Sequence, residues 1–167
     1  MKAVRRGPAL LPVTEIVDHM TVAFSVAGPP LDAAVVANLV DLSAVVFGRS
    51  DPQYVHWRVA HMPDVSVVYA TTDGRLVGFK AGYAVGERKY YSWLGGVHPE
   101  FRRQGIASEL MIRQHRWLAE RGYTLVETAV DQENQAMAQA NLRHGFSVCG
   151  VRTEPHRVQI LFSKRLA

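Results

Sequence analysis

The segment VHPEFRRQGIAS, residues 97–108, places two arginines just before a glycine at a point where a helix should begin. The first N–H groups of a helix have no intrahelical partner and carry the positive end of the helix dipole. At Gly105 no side chain would hold an anion away from these groups, and Arg102 and Arg103 add positive charge. The spacing therefore predicts a site for a phosphate-bearing ligand. A simple turn with solvated arginines would produce the same short pattern.

The one cysteine offers little chemistry. With a single Cys149 in 167 residues, the sequence excludes an intrachain disulfide and any cysteine-rich zinc site. The surrounding FSVCGV predicts a buried strand and supplies no neighbouring base, which argues against a covalent acyl-enzyme on this thiol.

The elements around the predicted phosphate turn alternate between strand and helix patterns. Asp32 and Gly48 would bound a first helix, a Ser-Asp-Pro start marks a second, and Asp73-Gly74 predicts a hairpin. From Ile106 to Arg121 the apolar residues follow a helical period, and Gly122 ends that pattern. The predicted order is β-α-α-β-β-β-α-β-α-β-β, which indicates a mixed sheet with helices on its faces, in one α/β or α+β domain.

Composition sets the class of protein. The chain has 48% hydrophobic and 20% charged residues, as soluble domains do, and a formal net charge of +4. No apolar run is long enough to cross a membrane, and the start is too short and proline-broken for a signal peptide. We therefore expect a cytoplasmic protein with a flexible extension over residues 1–19 and a single domain over residues 20–167. No basic-and-aromatic segment favours nucleic acid as a partner.

Two patterns in their order resemble the GNAT superfamily of N-acetyltransferases. The first is a strand ending in valine, a short loop with proline and then [Gln/Arg]-x-x-Gly-x-[Gly/Ala], which here is RRQGIA at Arg102 to Ala107. The second is an Asn that opens a short helix before Gly-Phe, here NQAMAQANLRHGF from Asn134. The resemblance is good over residues 65–166 and extends to residues 20–64 only in element order.

The resemblance implies a fold, a cosubstrate and a binding site. It implies a mostly antiparallel mixed sheet of about seven strands, splayed between the fourth and fifth, with about four helices. It implies that acetyl-coenzyme A is the acetyl donor, with no metal. Its pantetheine arm would pair with the backbone of Gly95, Gly96 and Val97 and with Asn134. The backbone N–H groups that would hold its pyrophosphate belong to Arg103, Gln104, Gly105, Ile106 and Ala107.

The Gly95-Gly96 pair is consistent with this picture, because glycine in a strand permits close approach of another backbone or a ligand. A β-bulge without a ligand would also explain the pair.

The chain departs from the family at one chemical position. Many members carry a tyrosine seven residues after the Asn, thought to hydrogen-bond or protonate the departing sulfur, and this chain has Asn141 there. A carboxamide donates a hydrogen bond but no proton near neutral pH. We therefore predict that Asn141 contacts the sulfur through a hydrogen bond, or that another group supplies the proton. An incidental polar residue on an alanine-rich helix is the alternative.

The base that would neutralise an amine is less clearly marked. Glu127, among apolar neighbours in TLVETAV, is one candidate, and a surface or cross-strand ion pair is the alternative. Tyr91 and Trp93 share one face of an aromatic strand and would form a wall of the acceptor pocket, or pack in the core. Glu87 is better explained by a charged turn and His98 by packing beside the phosphate turn.

The sequence therefore predicts an enzyme that moves an acetyl group from acetyl-coenzyme A directly to a primary amine of a small molecule or protein. The catalytic candidates are Asn141, Glu127 and Tyr91. A regulatory module that binds acyl-coenzyme A without turnover is the alternative. The expected partners are the coenzyme and the amine, and a homodimer remains open.

Overall fold

The computed structural model describes residues 13–17, 20–48 and 51–167 of the chain. Within these residues the strands are β1 (Val13–Val17), β2 (Met20–Ala27), β3 (Ser66–Thr72), β4 (Arg75–Gly86), β5 (Lys89–Val97), β6 (Leu125–Asp131), β7 (Ser147–Glu154) and β8 (Arg157–Arg165). The α-helices are α1 (Ala33–Phe47), α2 (Pro52–His61), α3 (Ile106–Glu120) and α4 (Gln135–Arg143). A short 3₁₀ turn, Pro99–Phe101, precedes α3.

The strands form one sheet in the order β1-β2-β3-β4-β5-β6-β8-β7. From β2 onward the element order is the predicted one, so the predicted mixed, mostly antiparallel sheet with four flanking helices is confirmed. Strand β1 pairs with β2 and lies within the segment predicted to be a flexible extension. The rest of that segment, residues 1–12, 18 and 19, lies outside the described residues, and its flexibility stays a prediction.

Local sequence signals explain the ends of the first two helices. The Asp32 carboxylate accepts from the backbone N–H of Ala34 at 2.7 Å, and Gly48 ends α1 in the left-handed conformation. In α2 the Asp51 carboxylate accepts from the N–H of Tyr54 at 3.0 Å, and proline occupies the first turn. Both are N-caps of the kind that the short acidic side chain favours.

The helices cover the two faces of the sheet. On one face α1 and α2 pack against β3 and β4 around Leu39, Val67 and Phe79. On the other face α3 packs around Leu110 and Leu118, and the partly buried Met137 and Ala138 of α4 complete that layer. The sheet is therefore enclosed by two helical layers, which is how its alternating apolar positions are buried.

One pair of neighbouring strands is only briefly joined. Strands β5 and β6 are parallel and pair at Lys89 with Leu125, Tyr90 with Val126 and Tyr91 with Glu127. Beyond those pairs β5 continues to Val97 and β6 to Asp131 without pairing to each other. These are the fourth and fifth strands when counting starts at β2, so the predicted splay is confirmed.

Tyr90 anchors this short parallel segment. Its ring is fully buried, and its hydroxyl lies 2.5 Å from Ser66 Oγ on β3. The ring packs over Gly82 of β4, where a Cβ would lie 2.4 Å from a ring carbon and 2.5 Å from the Tyr91 carbonyl oxygen. A side chain at Gly82 is therefore incompatible with the position of β5 at the point where β5 and β6 join.

We expect Gly82→Ala to lower the free energy of unfolding by about 2 kcal/mol, because the backbone contact cannot be relieved by a rotamer change. Gly86→Ala is the matched control, since its Cβ would lie 3.5 Å from Lys89 Cβ, an ordinary contact. Urea denaturation of both variants measures the difference. Equal stability of the two variants would contradict the packing of Tyr90 on Gly82.

Candidate functional site

The point where β5 and β6 separate is closed by side-chain hydrogen bonds. Thr128 Oγ1 donates to the Ser92 carbonyl oxygen at 2.9 Å, directly after the last paired residues. Ser92 Oγ in turn donates to Gln114 Oε1 of α3 at 2.9 Å. All three side chains are buried. The separation therefore begins at a fixed point, which we call the apex, and not in a loosely paired strand end.

A cavity of about 680 Å³ is bordered by the end of β5, by β4, α3 and α4, and by the last residues of α1. Nine of the predicted binding residues line it: Gly95, Gly96, Val97, Arg102, Arg103, Gly105, Ile106, Ala107 and Asn134. The predicted residues Gln104, Asn141, Glu127 and Tyr91 do not. The structure thus brings the two sequence patterns, which are separated by about 30 residues of chain, to opposite walls of one cavity.

The first turn of α3 differs from that of the other three helices. Asp32, Asp51 and Asn134 each cap a helix through a side-chain oxygen, whereas Gly105 provides no side-chain hydrogen bond to α3. Gly105 has φ +79°, and a Cβ added there would meet nothing within 4 Å. The N–H groups at the start of α3 therefore face the open cavity with no side-chain cap from the described residues, which is the arrangement that an anion would satisfy.

The turn before α3 is held by arginine and by unusual backbone. Arg102 Nε donates to the Val97 carbonyl oxygen at 3.0 Å, which ties the turn to the end of β5. Arg103 has φ +61°, a conformation that non-glycine residues adopt at some cost. Of the two arginines, Arg102 is thus engaged in positioning the turn, and both border the cavity.

The two glycines of β5 have different neighbours. A Cβ at Gly96 would lie 2.5 Å from Val46 Cγ1, so Gly96 allows α1 to pack against β5. A Cβ at Gly95 would lie 3.5 Å from Lys80 Cγ. Both pair regularly with β4, and the extra residue of the nearby register shift is Trp93. The β-bulge interpretation of the glycine pair is therefore wrong.

Two asparagines belong to this part of the site: Asn134 is the N-cap of α4, and Asn141 is a buried residue within the helix. Asn134 Oδ1 accepts from the N–H of Met137 at 3.2 Å and caps the helix, and the residue borders the cavity. Asn141 is 1% exposed, and its Nδ2 has no hydrogen-bond partner among the described residues. Its neighbours Ala140 and His144 border the cavity. A buried amide donor without an acceptor is costly, which points to an acceptor that a ligand supplies.

Glu127 and Tyr91 lie on the other face of the sheet. They are paired in register, and their neighbours Tyr90 and Val126 point toward α3 and α4, so alternation directs Glu127 and Tyr91 toward the α1 and α2 side. The Glu127 carboxylate forms an ion pair with Lys89 at 2.9 Å. The cross-strand ion pair considered for Glu127 is thus present, and the carboxylate remains partly exposed.

Aromatic residues surround an arginine on this same face. The Arg58 guanidinium of α2 lies 4.9 Å from the Tyr54 ring centroid, 5.2 Å from that of Tyr83 and 5.5 Å from that of Trp93. Arg58 also donates to the Tyr83 hydroxyl. The Tyr91 ring centroid lies 5.6 Å from that of Tyr83. These contacts give the face next to Glu127 a rigid aromatic wall with a cation within it.

Three further residues considered in the sequence analysis do not line the cavity. Glu87 is exposed in the turn between β4 and β5, as expected. His98 Nδ1 accepts from the N–H of Glu100 at 3.3 Å and caps the short turn before α3. The prediction that Cys149 is buried is wrong, because β7 is the edge strand and its residues are mostly exposed.

The sequence reasoning missed a basic cluster between α3, α4 and the sheet. Lys164 Nζ lies 3.2 Å from His115 Nδ1 and donates to the His144 carbonyl oxygen at 2.7 Å. Burial lowers the pKa of His115 to about 3, with Lys164 and Lys80 adding to the effect, and lowers the pKa of His144 in the same way. Burial also lowers the pKa of Lys80 to about 8.

Of this cluster Lys80 and His144 border the cavity. The sequence does contain one indication of Lys80, which lies two residues after Gly78 and two before Gly82. Glycines on the same face of the strand on both sides of a lysine leave space for its aliphatic stem against the sheet. Among the described residues there is no group of three or more His, Cys, Asp or Glu arranged to hold a metal ion. The described helices include none with the length and apolarity to span a membrane.

Comparisons with known proteins agree with this geometry. The sequence model of the Acetyltransferase (GNAT) family matches residues 35–146. An acetyltransferase of Photorhabdus laumondii is 32% identical over 117 residues, which is 70% of this chain and 76% of that protein.

Two solved structures with low sequence identity share the fold. The ribosomal-protein-S18-alanine N-acetyltransferase of Escherichia coli superposes with a TM-score of 0.75 at 14% identity, covering 86% of this chain and 94% of that one. A GNAT family acetyltransferase of Elizabethkingia anophelis with acetyl-CoA bound gives a TM-score of 0.65 at 12% identity, covering 86% and 98%.

Proposed function

Because this chain belongs to the acetyltransferase (GNAT) family, we propose that it moves an acetyl group from acetyl-coenzyme A directly to a primary amine. The observation that carries the proposal is the uncapped N-terminus of α3 at Gly105, which opens onto the cavity. A diphosphate placed there would receive the N–H groups from Arg103 to Ala107 and the positive end of the helix dipole. The related structure with acetyl-CoA bound supports the choice of coenzyme.

The remaining walls of the cavity match the rest of the coenzyme. Beyond the apex the β5 edge that faces β6 has no partner strand among the residues that the structure describes, so an extended amide-containing arm would pair with the backbone of Gly95 to Val97. Asn134 borders the same path from α4. The thioester would then lie between Gly95 and the apex, where a backbone N–H of β5 would stabilise the carbonyl oxygen during transfer.

The acceptor amine would enter from the opposite face. An alkyl amine has a pKa near about 10.4, so it must lose a proton before it attacks. Glu127 lies on that face beside Tyr91, at the last paired position before the apex. In this proposal Glu127 accepts the amine proton, directly or through a water molecule, and Tyr91 lines the path of the amine. The aromatic wall around Arg58 forms the far side of the acceptor pocket.

A second candidate, an acyl-coenzyme A-binding regulatory module without turnover, is favoured by one observation. The position at which many family members carry a tyrosine, thought to hydrogen-bond or protonate the sulfur, is occupied by Asn141, which is buried and whose amide does not transfer a proton near neutral pH. Both candidates bind acetyl-coenzyme A, and only the enzyme releases free coenzyme thiol when an amine is present.

The deciding experiment is thiol release from acetyl-coenzyme A with a panel of amines: a polyamine, an aminoglycoside, an amino acid and peptides with a free N-terminus or lysine. The exposed Cys149 would react with the thiol reagent, so the assay uses Cys149→Ser or subtracts that single equivalent. Multiple turnovers with any amine support the enzyme. Coenzyme binding without turnover across the panel would favour the regulatory module.

Gly105→Ala is expected to weaken coenzyme A binding about 10- to 100-fold, because its methyl group would occupy the place of the diphosphate at the N–H groups. Gly122→Ala is the matched control, since Gly122 also has positive φ, +85°, and open space at its Cβ, but follows the other end of α3. Both changes strain the backbone by about 1 kcal/mol.

Calorimetric titration with coenzyme A measures the two affinities. The proposal requires that only the Gly105 variant loses affinity. Equal losses in both variants would attribute the effect to strain and contradict the phosphate site.

Asn141→Leu is expected to raise the free energy of unfolding by about 1 kcal/mol, since it replaces an unsatisfied buried amide with an apolar side chain of similar size. If Asn141 Nδ2 donates to the sulfur, the same change lowers kcat about tenfold and leaves coenzyme A affinity nearly unchanged. Thermal melts and steady-state kinetics test both parts. Unchanged kcat in a stabilised variant would show that Asn141 has no role in transfer.

A further inference from the structure

When the acetyl group leaves coenzyme A, the sulfur takes the bonding electrons and then needs a proton. Several polar groups near the cavity cannot supply one at neutral pH. Asn141 has only amide protons, and the Arg143 guanidinium does not deprotonate in proteins. His115 and His144 are neutral near pH 7, because burial and nearby positive charges lower their pKa. A nearby group that can donate a proton would let the coenzyme leave as the neutral thiol.

Lys80 of β4 extends into the cavity beside the proposed thioester position. It pairs in register with Gly95, and a Cβ at Gly95 would lie 3.5 Å from Lys80 Cγ. This is an ordinary van der Waals distance, so the lysine stem runs directly alongside the backbone of Gly95. The residue borders the cavity together with Gly95, Ala140 and His144.

The Lys80 ammonium group has no carboxylate partner within the described ranges of the chain. Among the described residues it forms no ion pair and no hydrogen bond, although the side chain is partly buried. The titratable groups that interact with it electrostatically are His115 of α3 and His144 of α4, and Lys164 of β8 contacts both of these histidines. None is a carboxylate. A partly buried cation with only bases and another cation around it is destabilised unless an anion or an acceptor arrives.

We propose that the Lys80 ammonium donates the proton that converts the departing coenzyme A thiolate into the thiol, taking over the part that Asn141 cannot perform. This proposal rests on the proposed acetyl transfer. As the amine nitrogen bonds to the acetyl carbon, the C–S bond breaks and its electron pair goes to sulfur. The proton on Lys80 Nζ then moves to sulfur. The neutral lysine regains a proton from solvent, which has received the one lost by the amine, so protons balance over the cycle.

The acidity of Lys80 suits this step. Burial lowers its pKa from 10.5 to about 8, so the amine is protonated at neutral pH and yet donates more readily than a solvated lysine would. The protonated form is the active one. Proton donation is therefore available below pH 8 and is lost as the pH rises above it.

The test uses Lys80→Met and Lys80→Arg with an amine that the wild-type enzyme acetylates. Met keeps the apolar stem and removes the charge, whereas Arg keeps the charge and holds its proton too tightly to donate it. We expect kcat to fall on the order of 100-fold in both variants, with coenzyme A affinity changed much less. A role of Lys80 in packing or in charge alone predicts instead that Arg restores kcat.

The pH profile of kcat at saturating amine is the second readout. The kcat of the wild type should fall above about pH 8. The kcat of Lys80→Met should not fall there, because only deprotonation of the substrate amine then changes with pH, and this raises kcat. Wild-type kcat in either variant, or rescue by Arg, would overturn the proposal. If neither variant folds, a wild-type profile with no fall above this pH overturns it. Absence of thiol release from the wild type would refute the proposed function itself.

Discussion

The short parallel contact between β5 and β6 is the constraint on which the rest of the site depends. Three residue pairs join the strands, and the Thr128–Ser92 hydrogen bond closes the joint. A strand inside a sheet that lacks a neighbour has unpaired backbone groups, which are costly unless water or a ligand satisfies them. The sheet therefore contains a gap between β5 and β6, and the backbone N–H and C=O groups along the β5 edge of this gap are available to a ligand. The buried Tyr90 over Gly82 fixes where that gap begins.

The two ends of the cavity are specialised by different physical means. At the mouth, α3 begins with a glycine in the left-handed conformation and has no side-chain cap, so backbone dipoles provide the positive potential. At the other end the positive potential comes from side chains, because Lys80 borders the cavity beside Gly95 and has no carboxylate partner in the described part of the chain. In the proposed complex, the diphosphate of the coenzyme would lie at the mouth and its leaving thiolate beside Lys80.

The sheet also separates the groups that would donate a proton from the group that would accept one. The basic cluster of Lys80, His115, His144 and Lys164 lies on the α3 and α4 side, while Glu127 lies on the α1 and α2 side. Period-2 alternation produces this separation from adjacent strands. In the proposed reaction the amine loses its proton on one face and the thiol gains one on the other. The apex between them is where the acetyl group would change partners.

Features set by neighbouring residues were determined by the sequence: the caps at Asp32 and Asp51, the Asp73-Gly74 hairpin, the glycine start of α3 and the element order. Their causes act within a few residues, so a local pattern is sufficient. The family resemblance supplied the splay.

What depends on strand register and layer packing was decided only by the tertiary structure. It placed Lys80 beside Gly95, paired Glu127 with Lys89, and exposed Cys149 on an edge strand. An apolar run such as FSVCGV indicates a strand but does not say whether another element covers it, because burial is a property of the assembled layers.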